Sequence, residues 1–228
     1  MGGTEFSAGA PAERTLACPE LSGQVLLAVD TAIGTSVAVG IGGIITEVSS
    51  DNQRGHAEMI GELIERAFAL SGADPRQVTG VIVGRGPGPF TGLRIGMAAA
   101  HAFAAGRGVP LLPLQGLEAV ALAVLDHGAA APDVRVVQDA RRRELFVTAF
   151  SGLDWAGAPV RTREAHLVEQ AAFEPGLYDV RPDRIPAARL VQLAARRLAS
   201  GAAFDNPAAL YLRSPDVKPA AAIKRVSA

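Results

Sequence analysis

The first place where this 228-residue chain could do chemistry is an aspartate followed by a polar hairpin. Asp30 and Thr31 end an apolar run, and the turn residues 34–36, Gly-Thr-Ser, come next. A carboxylate at a strand end, beside the backbone of such a hairpin, can hold a metal ion and the phosphates of a nucleotide. Glycine directly after the aspartate would let a phosphate approach, but Thr31 and Ala32 both carry a Cβ atom. The alternative is an aspartate that caps its own turn.

A glycine-rich loop at residues 84–92, GRGPGPFTG, joins a predicted strand to a predicted helix. Open α/β sheets bind phosphates at such junctions. The loop matches neither the P-loop nor the dinucleotide-binding pattern, and residues 55–125 contain no lysine that could reach a phosphate. Pro87 and Pro89 also remove two backbone N–H donors. The sequence therefore favours a tight turn into a closely packed helix over a phosphate site.

The histidine, cysteine and serine residues suggest no catalytic group. His56, His101, His127 and His166 never stand four residues apart, and none lies in a zinc-protease pattern. The single cysteine, Cys18, cannot form an intramolecular disulfide, and no serine lies in a nucleophile elbow. We therefore expect no catalytic residue, no metal and no cofactor, and a reducing, cytoplasmic environment.

Three consecutive arginines, Arg141, Arg142 and Arg143, form a basic cluster between Asp139 and Glu144. Such a cluster is either a solvated turn or a contact for RNA phosphates or for an acidic partner. Both interpretations remain open at this point.

The charge balance and the apolar content limit the classes of protein to consider. Lys and Arg total 22 against 23 Asp and Glu, so the net charge is −1. Affinity for a phosphate backbone needs a basic excess, so we expect any nucleic-acid role to be shared with a partner. The 49% hydrophobic content and the mean hydropathy of +0.22 exclude a disordered chain. The longest uncharged apolar helical run, 95–106, is shorter than the roughly 20 residues that cross a bilayer.

Hydrophobic periodicity predicts alternating strands and helices. Residues 1–23 lack any periodicity, and we expect them to be a disordered leader. The predicted elements are two strands within 24–45, a helix over 56–71, a strand at 78–83, a helix over 91–106, a strand at 109–114, a helix over 117–125, two strands within 134–150 and a helix over 187–199. The helix over 91–106 is apolar nearly all round, so it must be covered on every side.

The second half of the chain begins by repeating the first. Residues 134–150 show the same order of strand, aspartate, polar turn and β-rich strand as residues 26–41, and Asp139 takes the place of Asp30. A repeat of this length is typical of a duplicated α/β lobe. We therefore expect a first lobe over 24–115 and a second lobe over 116–228.

Four segments together resemble one protein family. They are QVLLAVDTAIGTSVAVGI, VIVGRGPGPFTGLRIGMAAAHAFAAGRGVPLLPLQGLEAVA, VVQDARRRELFVTAF and LYLRSPDVKP. The chain resembles the TsaB (YeaZ) family, an accessory subunit in the synthesis of threonylcarbamoyladenosine in bacterial tRNA. The resemblance implies duplicated actin-like lobes of the ASKHA superfamily, ribonuclease-H-like in topology, with mixed sheets flanked by helices.

The resemblance also implies partners. TsaB pairs with its catalytic paralogue TsaD, or with itself when alone, through helices that match 56–71 and 91–106 here, and the ATPase TsaE completes the assembly. The complex brings in tRNA, so contact with this subunit is indirect. We expect no membrane contact. The residues expected to contact the partner are Met59, Ile60, Leu63, Leu93, Gly96, Met97 and Ala100.

One departure from TsaD bears on activity. TsaD carries two metal-binding histidines on the helix that corresponds to 116–125, whereas Gly116 and Val120 stand at those positions here. Neither side chain can bind a metal, so the resemblance implies a non-catalytic activator of TsaD. Three alternatives stay open: an actin-like ATPase or phosphotransferase that uses Asp30, Thr31 and Asp139, a glycoprotease-like hydrolase, and direct tRNA binding through residues 141–143.

Overall fold

A computed structural model of the chain describes residues 11–51, 56–126 and 133–213. Two mixed sheets and four α-helices account for most of these residues. The strands are β1 (Ala12–Ala17), β2 (Leu26–Asp30), β3 (Thr35–Ile41), β4 (Ile44–Ser50), β5 (Gly80–Gly84), β6 (Leu111–Leu114), β7 (Asp133–Asp139), β8 (Glu144–Leu153), β9 (Pro159–Glu169) and β10 (Asp179–Val180). The helices are α1 (His56–Ser71), α2 (Phe90–Arg107), α3 (Gly116–Leu125) and α4 (Ala187–Ser200).

The first sheet has the strand order β1-β4-β3-β2-β5-β6. Strands β2, β5 and β6 run parallel to one another, and the remaining neighbours are antiparallel. Strands β2 and β5 are buried along their whole length because helices cover both faces of the sheet. On one face Leu27 and Val81 pack with α1 and α2, and on the other Leu26 and Ile82 pack with α3 and α4.

The second sheet repeats the pairing of the first. Its order is β10-β7-β8-β9, in which β7, β8 and β9 are successive antiparallel neighbours and β10 is parallel to β7. Strands β2, β3, β4 and β5 have the same relations in the first sheet. The predicted repeat of 26–41 in 134–150 is therefore confirmed at the level of strand pairing.

Helices α3 and α4 lie between the two sheets, and α4 crosses over from the second lobe to the first sheet. Helix α3 follows the first sheet but packs on β7, β8 and β9, whereas α4 comes from the second half and packs on β2, β3 and β4. Two side chains of the first sheet hold the first turn of α4. Ser36 Oγ accepts from the Ala187 N–H at 2.9 Å, and Glu47 Oε2 accepts from the Ala188 N–H at 2.7 Å. The lobes thus share one core.

Buried ion pairs join the same elements. Glu118 on α3 is 2% exposed and accepts from Arg161 of β9 at 3.0 Å and from Arg197 of α4 at 2.6 Å. Asp126 accepts from Arg189 at 2.6 Å and from Arg196 at 2.8 Å. These contacts compensate the charges that the crossover buries, and nothing in the apolar periodicity of the chain indicated them.

The expectation of a disordered leader over residues 1–23 is wrong for residues 12–21. Strand β1 pairs antiparallel with β4 along its whole length, and a short 3-10 helix follows at Pro19–Leu21. Cys18 and Leu21 are completely buried. The strand escaped prediction because its side chains are mostly exposed and backbone hydrogen bonds attach it to the sheet. Residues 1–10 lie outside the described residues.

Candidate functional site

The structure encloses Asp30 at the carboxyl end of β2. The residue is 1% exposed, and its Oδ1 accepts from the Ala32 N–H at 2.8 Å. Its Oδ2 has no hydrogen-bond partner among the described residues. A Cβ at Gly84 would lie 1.7 Å from that oxygen, and one at Gly116 would lie 3.2 Å from it. Burial raises the pKa of Asp30 to about 7, because an ionised carboxylate loses its hydration there.

Thr31 links the same strand end to helix α2 by two hydrogen bonds. Its Oγ1 donates to the Gly92 carbonyl at 2.6 Å and accepts from the Gly96 N–H at 3.1 Å. A Cβ at Gly96 would lie 2.3 Å from that hydroxyl, and one at Gly88 would lie 2.9 Å from the Cβ of Ala32. The glycines of the loop therefore allow α2 to pack closely against the end of β2, as expected. The loop folds over Asp30 and Thr31, so neither side chain is accessible to a nucleotide.

This packing predicts a strong effect of a methyl group at one glycine of α2. We expect Gly96→Ala to lower the free energy of unfolding by about 1–3 kcal/mol, because the new Cβ displaces Thr31. Gly106 lies on the same helix, and a Cβ added there would meet nothing within 4 Å, so Gly106→Ala should raise stability by up to about 1 kcal/mol. Urea unfolding of both variants measures the difference, and equal midpoints would contradict the proposed contact.

Asp139 and the arginines after it form an exposed turn. Asp139 Oδ1 accepts from the Arg141 N–H at 2.8 Å, which is the turn-capping role that was the alternative for a strand-end aspartate. Arg141, Arg142 and Arg143 have φ values of 63°, 54° and 63°, in the left-handed region that side chains other than glycine rarely adopt. Asp30 and Asp139 thus occupy matching places in the repeat but different environments, one sealed and one in solvent.

A cavity of about 190 Å³ lies between the two lobes, and we call it the interlobe pocket. Three segments far apart in sequence form it: the loop before α2, the turn between β7 and β8, and residues 211–213 after α4. Its lining residues are Gly88, Pro89, Phe90, Ala140, Arg141, Arg142, Phe146, Tyr211, Leu212 and Arg213. Arg143 lies on the other side of the turn, where a second, more open depression also contains Arg142.

Aromatic rings and basic side chains meet at this pocket. Phe90 and Tyr211 stack with ring centroids 4.3 Å apart. The guanidinium of Arg94 lies 5.6 Å from the Phe90 centroid, and its Nε donates to the Tyr211 hydroxyl at 3.2 Å. Arg213 forms an ion pair with Glu144 and donates to the Arg141 carbonyl at 3.2 Å. Phe90 belongs to the glycine-rich loop, and Tyr211 and Arg213 belong to the segment LYLRSPDVKP. The sequence does not indicate that these three residues meet.

The expected partner-contact residues divide into two groups. The residues of the first group are buried in the chain's own fold, which disfavours direct contact with a partner. They are Ile60, Leu63, Leu93, Gly96 and Ala100. Met59 and Met97 are half-buried beside that core. The fully buried residues fix the positions of α1 and α2 on the sheet, and the outward side of the two helices carries a different set of residues.

Small side chains dominate the outward side of α2. Ala98, Ala102 and Ala105 are exposed there. Ile64 of α1 and Ile95 of α2 are half-buried beside them, and both belong to the apolar cluster under the two helices. Arg94 and His101 are also exposed on α2. We call the outward surface of the two helices, with its exposed alanines beside these two side chains, the α1–α2 face.

The structure describes the side chains of two of the four histidines. His101 is exposed on α2, and His166 Nδ1 lies 2.9 Å from the Glu164 carbonyl oxygen. His127 and the side chain of His56 lie outside the described part of the structure. Among the described residues, no three or more His, Cys, Asp or Glu side chains form a group that could hold a metal ion. The same residues contain no helix long and apolar enough to cross a membrane.

Comparison with known proteins now assigns the chain. Residues 27–158, more than half of the sequence, match the family model described as TsaD: tRNA N6-adenosine threonylcarbamoyltransferase. The chain belongs to the TsaD family. The match runs from β2 through β8, so it includes the sealed end of β2, helices α1 to α3 and most of the interlobe pocket.

Relatives place this TsaD-family chain close to TsaB. The TsaB protein of tRNA threonylcarbamoyladenosine biosynthesis from Haemophilus influenzae is 37% identical over 122 residues, which span 53% of this chain and 51% of that protein. An uncharacterised protein of Mycobacterium tuberculosis is 35% identical over 214 residues, covering 86% of this chain and 95% of the relative. The TsaB (YeaZ) resemblance stated from the sequence is confirmed.

A solved structure confirms the fold of this family member. YeaZ from Pseudomonas aeruginosa superposes with a TM-score of 0.74 at 21% identity, over 83% of this chain and 100% of that one. The predicted α/β fold with duplicated actin-like lobes and mixed sheets flanked by helices is therefore confirmed.

Proposed function

We propose that the chain is a non-catalytic partner and activator of a TsaD-type transferase in the synthesis of threonylcarbamoyladenosine in tRNA. The α1–α2 face carries this proposal. A surface helix of a monomeric protein normally presents charged residues to water, whereas Ala98, Ala102 and Ala105 of α2 present methyl groups. Small side chains at such spacing allow another helix to approach closely.

The location of the face supports pairing with a related chain. Helices α1 and α2 cover the outer side of the first sheet, opposite α3 and α4, so a second pair of helices can pack there without disturbing the lobe contacts. We infer that TsaD occupies this face in the active complex and that a second copy of this chain occupies it when TsaD is absent. TsaE joins that assembly, and tRNA, the cytoplasmic substrate, is brought in by the complex.

The environment of Gly116 supports a non-catalytic role. A Cβ at this position would lie 3.2 Å from Ile185 Cγ2, so the place where TsaD carries a metal-binding histidine is filled by the chain's own core. Val120 at the second such place is 5% exposed and packs in the same core. An ATPase or phosphotransferase that uses Asp30 has less support, because that carboxylate is sealed from solvent.

Complex formation with TsaD tests the proposal directly. We expect the full chain and the TsaD of the same organism to elute together in size-exclusion chromatography with light scattering, at a mass equal to one copy of each. We also expect calorimetric titration of the isolated chain with Mg-ATP to give no saturable heat. Separate elution at micromolar concentrations, or stoichiometric ATP binding with turnover, would contradict the proposal.

A further inference from the structure

The interlobe pocket lies in a basic part of the molecule. Its three segments and their flanks, residues 84–94, 139–146 and 208–213, contain six arginines and two carboxylates, although the whole chain carries a net charge of −1. Helix α1 shows the opposite bias, since its exposed side carries Glu58, Glu62 and Glu65 with Arg66. Charge is therefore segregated, and the potential at the pocket favours an anion.

Helix α2 adds to this potential. It is 18 residues long, begins at the pocket with Phe90, and has neither a side-chain cap nor an acidic residue in its first turn. The N–H groups at such a helix start carry a partial positive charge. Arg142 also lines the pocket, as does Arg141, whose guanidinium lies 3.7 Å from the Asp139 carboxylate in an exposed ion pair. Their positive charges add to the potential of the helix start.

The size and the aromatic lining limit what that group can belong to. A volume of about 190 Å³ is below the roughly 300 Å³ at which pockets begin to enclose a whole small-molecule ligand. It suits one planar ring or one phosphate of a longer molecule that continues outside. Tyr211 is 40% exposed, and Phe90 beside it is half-buried, so an aromatic surface is available at the mouth. Rings of this kind stack on the bases of single-stranded nucleic acids.

We propose that the interlobe pocket is a contact site for single-stranded RNA. A base stacks at Phe90 and Tyr211, and the adjoining phosphates lie between the start of α2 and the side chains of Arg141 and Arg142. The identity of this RNA rests on the proposed function, and from it we infer the exposed loop of a tRNA. Two arginines of the cluster at 141–143 thus line the same pocket as Phe90 of the first lobe and Tyr211 of the segment after α4.

The chain offers matched variants for the two kinds of contact. Tyr211→Ala removes the stacking ring, whereas Tyr211→Phe keeps it and loses only the hydroxyl that accepts from Arg94. Arg142→Gln removes one charge at the pocket. Arg76→Gln removes one charge from an exposed position before β5, at the end of that strand opposite the pocket.

Fluorescence anisotropy with a short fluorescein-labelled single-stranded RNA and the full chain tests the site. We expect saturable binding at about 50 mM salt, weakened at least fivefold by Tyr211→Ala and less than twofold by Tyr211→Phe. Arg142→Gln should reduce the slope of log affinity against log salt by about 0.7, and Arg76→Gln should leave it unchanged. Circular dichroism confirms that each variant is folded.

Three outcomes would overturn the site. They are the absence of saturable RNA binding at low salt, equal affinities of the Tyr211→Ala variant and the unchanged chain, and binding of ATP or inorganic tripolyphosphate without binding of RNA. Co-elution of each variant with TsaD is measured in parallel. If a variant no longer binds RNA but still elutes with TsaD, the result bears on the RNA site alone. If the unchanged chain does not elute with TsaD, the result contradicts the proposed function.

Discussion

Ala102→Glu is expected to weaken the complex with TsaD at least 100-fold. The residue is exposed at the centre of the outward side of α2, so a partner helix that covers the α1–α2 face would bury the new carboxylate without a counter-charge. An unpaired charge in an interface costs about 3–5 kcal/mol, and each 1.4 kcal/mol is about a tenfold change in Kd. Isothermal titration of the variant against TsaD measures the effect.

The fold of the variant should be unaffected. Glutamate is a good helix former, and an exposed helical position tolerates it within about 0.5 kcal/mol of unfolding free energy. Ala199→Glu makes the same change at an exposed position of α4, on the opposite side of the first sheet, and should bind TsaD normally. If the folded Ala102→Glu variant bound TsaD as tightly as the unchanged chain, the α1–α2 face would not be part of the interface.

A charged substitution at the buried positions that the sequence predicts to contact the partner would have a different effect from Ala102→Glu. Leu63 is 1% exposed on the buried side of α1, so an aspartate there would unfold the lobe instead of blocking the partner. Loss of co-purification by such a variant would carry no information about the interface. The exposed alanines of α2 separate the two effects.

Asp30→Asn is expected to change how stability depends on pH. The folded protein holds this carboxyl neutral up to a pKa of about 7, against 3.8 for the ordinary group, so the unfolded chain releases the proton first as pH rises. The stability that this group contributes is complete below about pH 4 and is lost progressively up to about pH 7. The amide of asparagine stays neutral throughout, so the variant should lack this loss.

Urea unfolding at pH 5 and pH 8 measures the expected change. Between these values Asp30→Asn should gain about 3 kcal/mol in unfolding free energy relative to the unchanged chain, at about 1.4 kcal/mol for each pH unit up to the folded pKa. Asp139→Asn is the matched control, since this exposed aspartate occupies the same place in the repeat and an amide oxygen can still accept from Arg141. Parallel pH profiles of the Asp30→Asn variant and the unchanged chain would contradict the burial of an unpaired carboxyl.

The sequence predicted the elements of the fold better than the orientation of their faces. The four-residue period of 56–71 and the alanine-rich run of 91–106 correspond to α1 and α2 within one residue at each end. Helix α2, however, is apolar on both sides, so its composition could not distinguish the side that meets the sheet from the side left exposed. The expectation that Leu93 and Ala100 contact a partner depends on this ambiguity, and both residues are buried within the chain.

Contacts between distant segments could not be predicted. Glu118 meets Arg161 and Arg197, which lie far from it in the sequence, and a local pattern contains no information about such pairs. The interlobe pocket likewise depends on three segments that only the fold brings together. The sequence identifies Asp30 as an aspartate at a strand end, but it does not show that the residue is buried. Burial depends on Gly84 and Gly116 on neighbouring elements, which lack the Cβ atoms that would contact the Asp30 carboxylate.

Reconstituted tRNA modification is the most direct test of the proposed role as an activator of TsaD. TsaD, TsaE, the enzyme that supplies threonylcarbamoyl-adenylate and an unmodified tRNA are incubated with and without this chain, and threonylcarbamoyladenosine is quantified by mass spectrometry. We predict that modification requires the chain, that Ala199→Glu supports it, and that Ala102→Glu does not. Equal modification without the chain, or formation of the product by the chain when TsaD is omitted, would contradict a non-catalytic activator.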